Sequence, residues 1–392
     1  MSQPLISRNP DLKRLEEDGY AIEIRANHLV LTHIPYVTAS KQVRLGTLVS
    51  ELTLAGDLTG KPSTHVVHFG GEYPCDHNGS PIEGIRHQST RQDLGGGLTV
   101  DHSFSSKPTA GYDNYYDKMS TYAKILSIPA SALDPSATPC PHLPVPTAPA
   151  DSVFNYFDTA SSRAGTNDLS ERLSHEYVAI VGLGGTGAYV LDMVAKTPVR
   201  QIALFDADTM MSHNAFRMPG AAPIETLRGR PKKVGYLREL YSHMHRNIVA
   251  NDVPITADTL SRLVGSTMVF ICIDDGAAKR PILDFLAKYR VPFIDVGMGV
   301  VRGEAGLCGV VRTTTSTPEF GDPERLATRI STASTPSGDY ATNIQIADLN
   351  ALNACMAVIK WKKLRGFYVD IDREHFSAYT IDGNHMTNED KA

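Results

Sequence analysis

The sequence has no paired cysteine motif, no block of basic residues and no long apolar run. Its five cysteines (Cys75, Cys140, Cys272, Cys308 and Cys355) are scattered, and no two stand at CxxC spacing. That excludes a four-cysteine structural zinc site, and reduced thiols in a cytoplasmic setting are the expected state. Acidic residues outnumber basic ones, 43 to 38. A nucleic-acid-binding surface, which needs clustered lysine and arginine, is therefore not expected. No stretch stays apolar for the roughly 20 residues that a membrane helix requires, and MSQPLISRNP opens without an apolar core. What remains is ordinary globular composition over 392 residues, enough for two domains.

A proline-rich passage, residues 128–150, divides the chain. Its composition predicts an extended linker between an N-terminal domain (1–127) and a larger C-terminal domain (151–392). Before it, HLVLTHIPYV, GTLVSELTL and THVVHFGGEY read as β-strands, followed by a helix over 114–126. Tyr115, Tyr116, Met119 and Tyr122 fall on its helical spacing and suit a core. His65, His68, Cys75, His77 and His87 crowd this domain, but residues 65 and 68 of one strand point to opposite faces, so a shared metal site is not expected.

After the linker, strand-like and helix-like runs alternate: EYVAIVG, GTGAYVLDMVAKT, QIALFD, KKVGYLRELYSHM, MVFICID, AAKRPILDFLAKY, VPFIDVG. This rhythm predicts an α/β fold with a mostly parallel, Rossmann-like sheet covered by helices on both faces. Residues 313–341 are polar and rich in Gly and Pro, and are expected to form a long excursion. A helix follows over 344–364.

The chemistry concentrates between Val181 and Lys232. Gly182, Gly184, Gly185 and Gly187 follow the first strand of this domain and open a helix. Such a turn lets backbone approach phosphates while free N–H groups point at them. Asp206, at the end of the next strand, suits a ribose diol, with Asp208 beside it. That pair fits NAD as well as ATP. Asn214, Arg217 and Lys232 separate the two: cleavage between the α- and β-phosphates builds charge that cations must meet. Asp274 ends a third strand and suits Mg2+, which needs one or two protein carboxylates. Asp275 beside it suits a helix cap.

These residues resemble the ThiF/MoeB and ubiquitin-activating adenylyltransferases. Gly182-Leu-Gly184-Gly185-Thr-Gly187 matches their glycine loop, Asp206-Ala-Asp208 their acidic strand end, and Asn214-Ala-Phe-Arg217 their N-x-x-R. Gly229-Arg-Pro-Lys232 matches G-x-x-K, and Cys272-Ile-Asp274-Asp275 stands where the family shows Thr-Asp-Asn. The resemblance spans roughly residues 150–366. It implies attack on ATP by the C-terminal carboxylate of a small β-grasp, ubiquitin-like protein, with Arg217, Lys232 and Asp274 catalytic. It also implies a homodimer in which an arginine preceding the first strand reaches the partner's ATP, and Arg163 is the local match. Two departures stand out: the zinc cysteine pairs of many sulfur-carrier activators are missing, and residues 313–354 hold no cysteine for thioester transfer. Cys75 and Cys140, in loop-like contexts, are the thiols expected to be exposed. With the N-terminal extension, these departures point towards bacterial ubiquitin-like conjugation, a setting that includes conjugating-type enzymes and antiphage defence. The alternatives are a sulfur-carrier adenylyltransferase of the thiamin or molybdopterin type and a NAD-dependent oxidoreductase.

Overall fold

A computed structural model describes residues 2–144, 152–332 and 344–391, without the side chains of 2–4, 162 and 163. The chain divides into two compact units, Met1–Thr147 with Tyr156–Arg163, and Ala148–Asn155 with Ala164–Ala392.

In the first unit two short helices, α1 (Ser2–Arg8) and α2 (Pro10–Glu17), precede β1 (Ala21–Arg25), β2 (His28–Val37) and β3 (Val43–Glu51). Two-residue strands β4 (Leu54–Ala55) and β5 (Leu58–Thr59) form a small hairpin. Then come β6 (Val66–Gly70), β7 (Arg86–Gln88), a second small hairpin β8 (Gln92–Asp93) and β9 (Thr99–Val100), and β10 (His102–Ser105). The main sheet is antiparallel in the order β1-β2-β3-β6-β10-β7. One face carries Leu29, Leu31, Leu48, Val67, Phe69 and Phe104, the period-2 set that alternation buries. Helix α3 (Tyr115–Leu133) lies on it and contributes Tyr115, Met119 and Tyr122 to the core, as their spacing predicted. Asn114 caps this helix by accepting from Asp117 N.

The helix runs seven residues past the predicted end at Leu126, through Pro129, into the passage expected to be extended. Proline's fixed φ is helical, and its ring removes one N–H only, so the helix can pass through it at the loss of one hydrogen bond. The last six residues of that passage, 145–150, lie outside the described residues. Cys75 is a correction: it is 1% exposed, packed with Val37 and Ala130, because its loop is pinned by bridges to Val37 and Pro81.

After α4 (Thr159–Ala164), the second unit runs α5 (Asn167–Glu171), β11 (Tyr177–Val181), α6 (Gly185–Val194), β12 (Gln201–Phe205), α7 (Ser212–Ala215), α8 (Ile224–Arg228), α9 (Lys233–Ser242) and β13 (Ile248–Asn251). It continues with β14 (Met268–Ile271), α10 (Gly276–Lys288), β15 (Phe293–Arg302), β16 (Leu307–Ser316), α11 (Pro323–Arg329), α12 (Ala347–Leu364), β17 (Glu374–Thr380) and β18 (His385–Lys391). The sheet order is β13-β12-β11-β14-β15-β16-β17-β18. Pairings from β13 to β15 are parallel and those from β15 to β18 antiparallel. The expected fold class is therefore the observed one. Separate apolar clusters line the two faces, one around Ile180, Leu204, Phe270 and Trp361, the other around Val181, Phe205, Ile271 and Leu286. This is why the strands read as continuous apolar runs rather than alternating ones.

Part of the excursion expected over 313–341 is regular structure: residues 313–316 complete β16 and residues 323–329 form α11, capped by Asp322. Only 333–341 of that stretch lie outside the described residues. Polar Thr313 and Thr314 are buried because they pair between β15 and β17, and Thr315 pairs with β15, a context that β-branched threonine suits and hydropathy does not signal.

Candidate active site

The strand order places β11 between β12 and β14, so the chain leaves β11 on one side and returns on the other. At such a switch point the carboxyl ends of the strands diverge and leave a crevice. A cleft of about 780 Å³ opens there, lined by Gly182, Gly184, Gly185, Asp206, Asp208, Asn214, Arg217, Lys233, Asp274 and Asn350 among others.

The glycine turn is sterically required. Gly182 has φ +88, and a Cβ there would sit 2.7 Å from the Cys272 carbonyl oxygen. A Cβ on Gly187 would run into the Gly182 carbonyl, so α6 packs against β11 only without side chains. Gly184 is the N-cap of α6 and offers no side-chain cap, leaving the first-turn N–H groups directed at the cleft.

Asp206 is nearly buried, and its carboxylate organises the wall. Oδ2 accepts from Leu183 N at 2.7 Å and Oδ1 from Asp208 N at 2.8 Å. Asn214 is 1% exposed and accepts from Met211 N at 2.9 Å, fixing the short helix that presents Arg217. The Arg217 Nε is buried with no hydrogen-bond partner in the protein. A guanidinium held this way retains capacity for an anion.

Lys232 lies elsewhere than expected. Its ammonium donates to Ala207 O at 2.7 Å and pairs with Asp252 at 3.1 Å, outside the cleft wall. The neighbouring Lys233 lines the cleft instead. Its ammonium is buried, 2.7 Å from Asp208 and 3.6 Å from Asp206. The cause is local: Lys232 is the N-cap of α9 in extended conformation, bridged to Thr209, whereas Lys233 is the first helical residue and turns inward. Arg230 adds a further cation to the lining.

Asp274 accepts from Gln345 Nε2 at 2.6 Å. Burial pushes its carboxyl above the ordinary range, opposed by the charges of Lys279 and Arg217. Beneath it Lys279 and Asp295, both buried, form an ion pair at 2.6 Å. Asp275 caps α10 through Ala277 N and Ala278 N, as its position suggested. A single carboxylate facing a phosphate site matches the donor set of Mg2+, and Asp274 would hold it; the Asp208 carboxylate is already paired with Lys233. Among the described residues no group of three or more His, Cys, Asp or Glu is placed to hold a metal by itself.

Cys272 also lines the cleft. Burial and the Asp295 charge push its thiol far up, so it is protonated rather than nucleophilic. Burial likewise raises Cys75 and Cys140, the latter beside Tyr20. Arg163 lies on α4, and its side chain is outside those described. Lys233, Arg230, Lys279, Asp295, Gln345 and Asn350 were not singled out from the sequence. For Lys233 the signal was present in the Lys-Lys doublet; the others come from elements whose convergence only the fold reveals.

The sequence matches the ThiF family over residues 159–390 and a domain of unknown function (DUF6791) over residues 10–159. Ubiquitin-like modifier-activating enzyme 5 of Drosophila melanogaster is 26% identical over 123 residues, covering 29% of this chain. The chain spans about 30% of that relative's length. Among solved structures, PaaA aligns with TM-score 0.45 at 17% identity, over 57% of this chain and 76% of that one. E. coli MccB with ATP aligns with TM-score 0.43 at 14% identity, over 57% and 66%. E. coli tRNA N6-threonylcarbamoyladenosine dehydratase, TcdA, solved with AMP, gives 0.40 at 17% identity, over 53% and 93%. The chain belongs to the ThiF family. Among the described residues no helix is long and apolar enough to cross a membrane.

Proposed function

We propose that this ThiF-family protein uses MgATP to adenylate the C-terminal carboxylate of a ubiquitin-like, β-grasp protein. One observation carries the reading: a buried, unpartnered guanidinium nitrogen on Arg217 faces the same cleft as a side-chain-free phosphate turn and the Asp274 carboxylate. A carboxylate oxygen of the modifier attacks the α-phosphorus and forms a new P–O bond. The bond from that phosphorus to the α,β-bridging oxygen breaks, and pyrophosphate leaves with its electron pair. The N–H groups of the α6 first turn, Arg217 and Lys233 hold the phosphate oxygens on which charge builds. Mg2+ at Asp274 supplies charge neutralisation on the phosphates when bound. Asp206 shapes the wall near the ribose, and Asn214 holds Arg217 in place.

The acyl-adenylate is either attacked directly by a partner, such as a conjugating-type enzyme, or handed on without a thioester on this chain. Residues 313–354 hold no cysteine, and burial pushes the Cys272 thiol up, away from the nucleophilic thiolate. A homodimer in which Arg163 of one copy reaches the other's nucleotide completes the proposal, with a bacterial conjugation pathway, including antiviral defence, as its setting. Phe216, 85% exposed between Asn214 and Arg217, gives the rim apolar surface that such a second copy would cover. The test is ATP–pyrophosphate exchange with candidate ubiquitin-like and sulfur-carrier proteins. Exchange with a ubiquitin-like protein supports the proposal; exchange only with a sulfur carrier redirects it to that pathway. Tight NAD binding with no ATP binding overturns it.

A further inference from the structure

Helix α12 brings one more group to the phosphate turn. Asn350 is 1% exposed and its amide lies against Gly185, where any Cβ would collide with it. Thr186 Oγ1 donates to Asn350 Oδ1 at 2.8 Å. With Oδ1 engaged, Nδ2 is left buried with no hydrogen-bond partner. An amide nitrogen carries two N–H donors and no acceptor capacity, so the missing partner must be an acceptor. Asn350 lines the cleft beside Gly184, Gly185 and Thr186, where the free N–H groups of α6 also seek an acceptor. One turn further along α12, Asn353 donates through Nδ2 to Gly297 O at 3.0 Å and holds the helix to β15. Asn350 therefore cannot withdraw without displacing an anchored helix.

We propose that Asn350 is a nucleotide-binding residue whose Nδ2 donates to a phosphate oxygen seated on the α6 N-terminus. The acceptor is an anionic oxygen of the nucleotide rather than its sugar or base, because it must lie where donors from both helices converge. This rests on the adenylation reading above for the identity of the ligand. It makes α12 a sensor of nucleotide occupancy, since the phosphate then bridges α6 and α12.

The experiment uses the full chain with MgATP, AMP and adenosine, each displacing a fluorescent ATP analogue. Asn350→Ala is expected to weaken MgATP and AMP about tenfold, the loss of one hydrogen bond to a charged acceptor, and to leave adenosine unchanged. Asn350→Asp, which puts a carboxylate against the phosphates, should weaken both further. Thr186→Val, which frees the amide to rotate, should show a smaller loss with the same selectivity. Equal loss for all three ligands would indicate a packing role and overturn the inference, as would Asn350→Ala binding all three like wild type. Wild-type protein that binds none of the three overturns the adenylation reading, and this inference with it.

Discussion

Each unit buries lysines, and the two treat them differently. In the N-terminal unit Lys118 of α3 is fully buried beneath the sheet, and its ammonium meets only the Ser50 hydroxyl at 2.8 Å. Burial lowers its pKa to about 8, opposed weakly by the charge of Glu51. In the C-terminal unit, Lys279 and Lys233 are as deeply buried, but each is matched to carboxylates and set at or beneath the cleft. A buried cation without a carboxylate carries an uncompensated desolvation cost; a matched one keeps its charge where a ligand can feel it. The contrast locates function: buried polarity is sealed within one unit and gathered at strand ends in the other.

The sharpest break of that contrast is Lys279→Met. It leaves Asp295 buried without its cation and should cost about 3–5 kcal/mol in urea unfolding. A variant as stable as wild type would show that Asp295 is already neutral. Next is Arg217→Ala, expected to slow pyrophosphate exchange by roughly 10²–10³ with thermal stability retained. Unchanged exchange would remove Arg217 from the chemistry.

Lys118→Met tests the sealed side and should go the other way, stabilising the protein by about 1–3 kcal/mol at pH 7, because Ser50 still donates to Glu51 O. The pH dependence has a definite sign. Below about pH 8 Lys118 is protonated whether folded or not, and the full cost is present. Between about pH 8 and the ordinary lysine value of about 10.4 only the unfolded chain holds the proton, so wild-type stability rises with pH. Urea midpoints of the two proteins should therefore converge across that window; a constant gap would place the gain in packing instead. The smallest effect separates neighbours: Lys233→Ala should reduce exchange about tenfold, and Lys232→Ala less than about twofold. The reverse order would return the role to Lys232.

Much of the C-terminal unit was legible because its signals are local. A glycine turn, an acidic strand end and an arginine three residues past an asparagine each occupy one short stretch, and a parallel sheet marks its strands with unbroken apolar runs. Lys233 was missed because a spacing rule stops at the first lysine of a doublet, while the backbone turn at the start of α9 decides which side chain faces inward. Asn350, Gln345 and the Lys279–Asp295 pair were invisible for a different reason. Each is unremarkable within its own helix or strand and acquires meaning only from a neighbour more than a dozen residues away. In the N-terminal unit the strands could be read from alternation, whereas the proline-rich composition after Leu126 hid the helical turns that continue through Pro129 to Leu133.

The Thr186–Asn350 hydrogen bond joins residues 164 positions apart in the chain. Closing so long a loop has no reward until the intervening strands and helices have docked. A chain in which α12 has not yet docked therefore has the glycine turn but not the finished pocket. Refolding should show the sheet's circular dichroism recovering before nucleotide binding does.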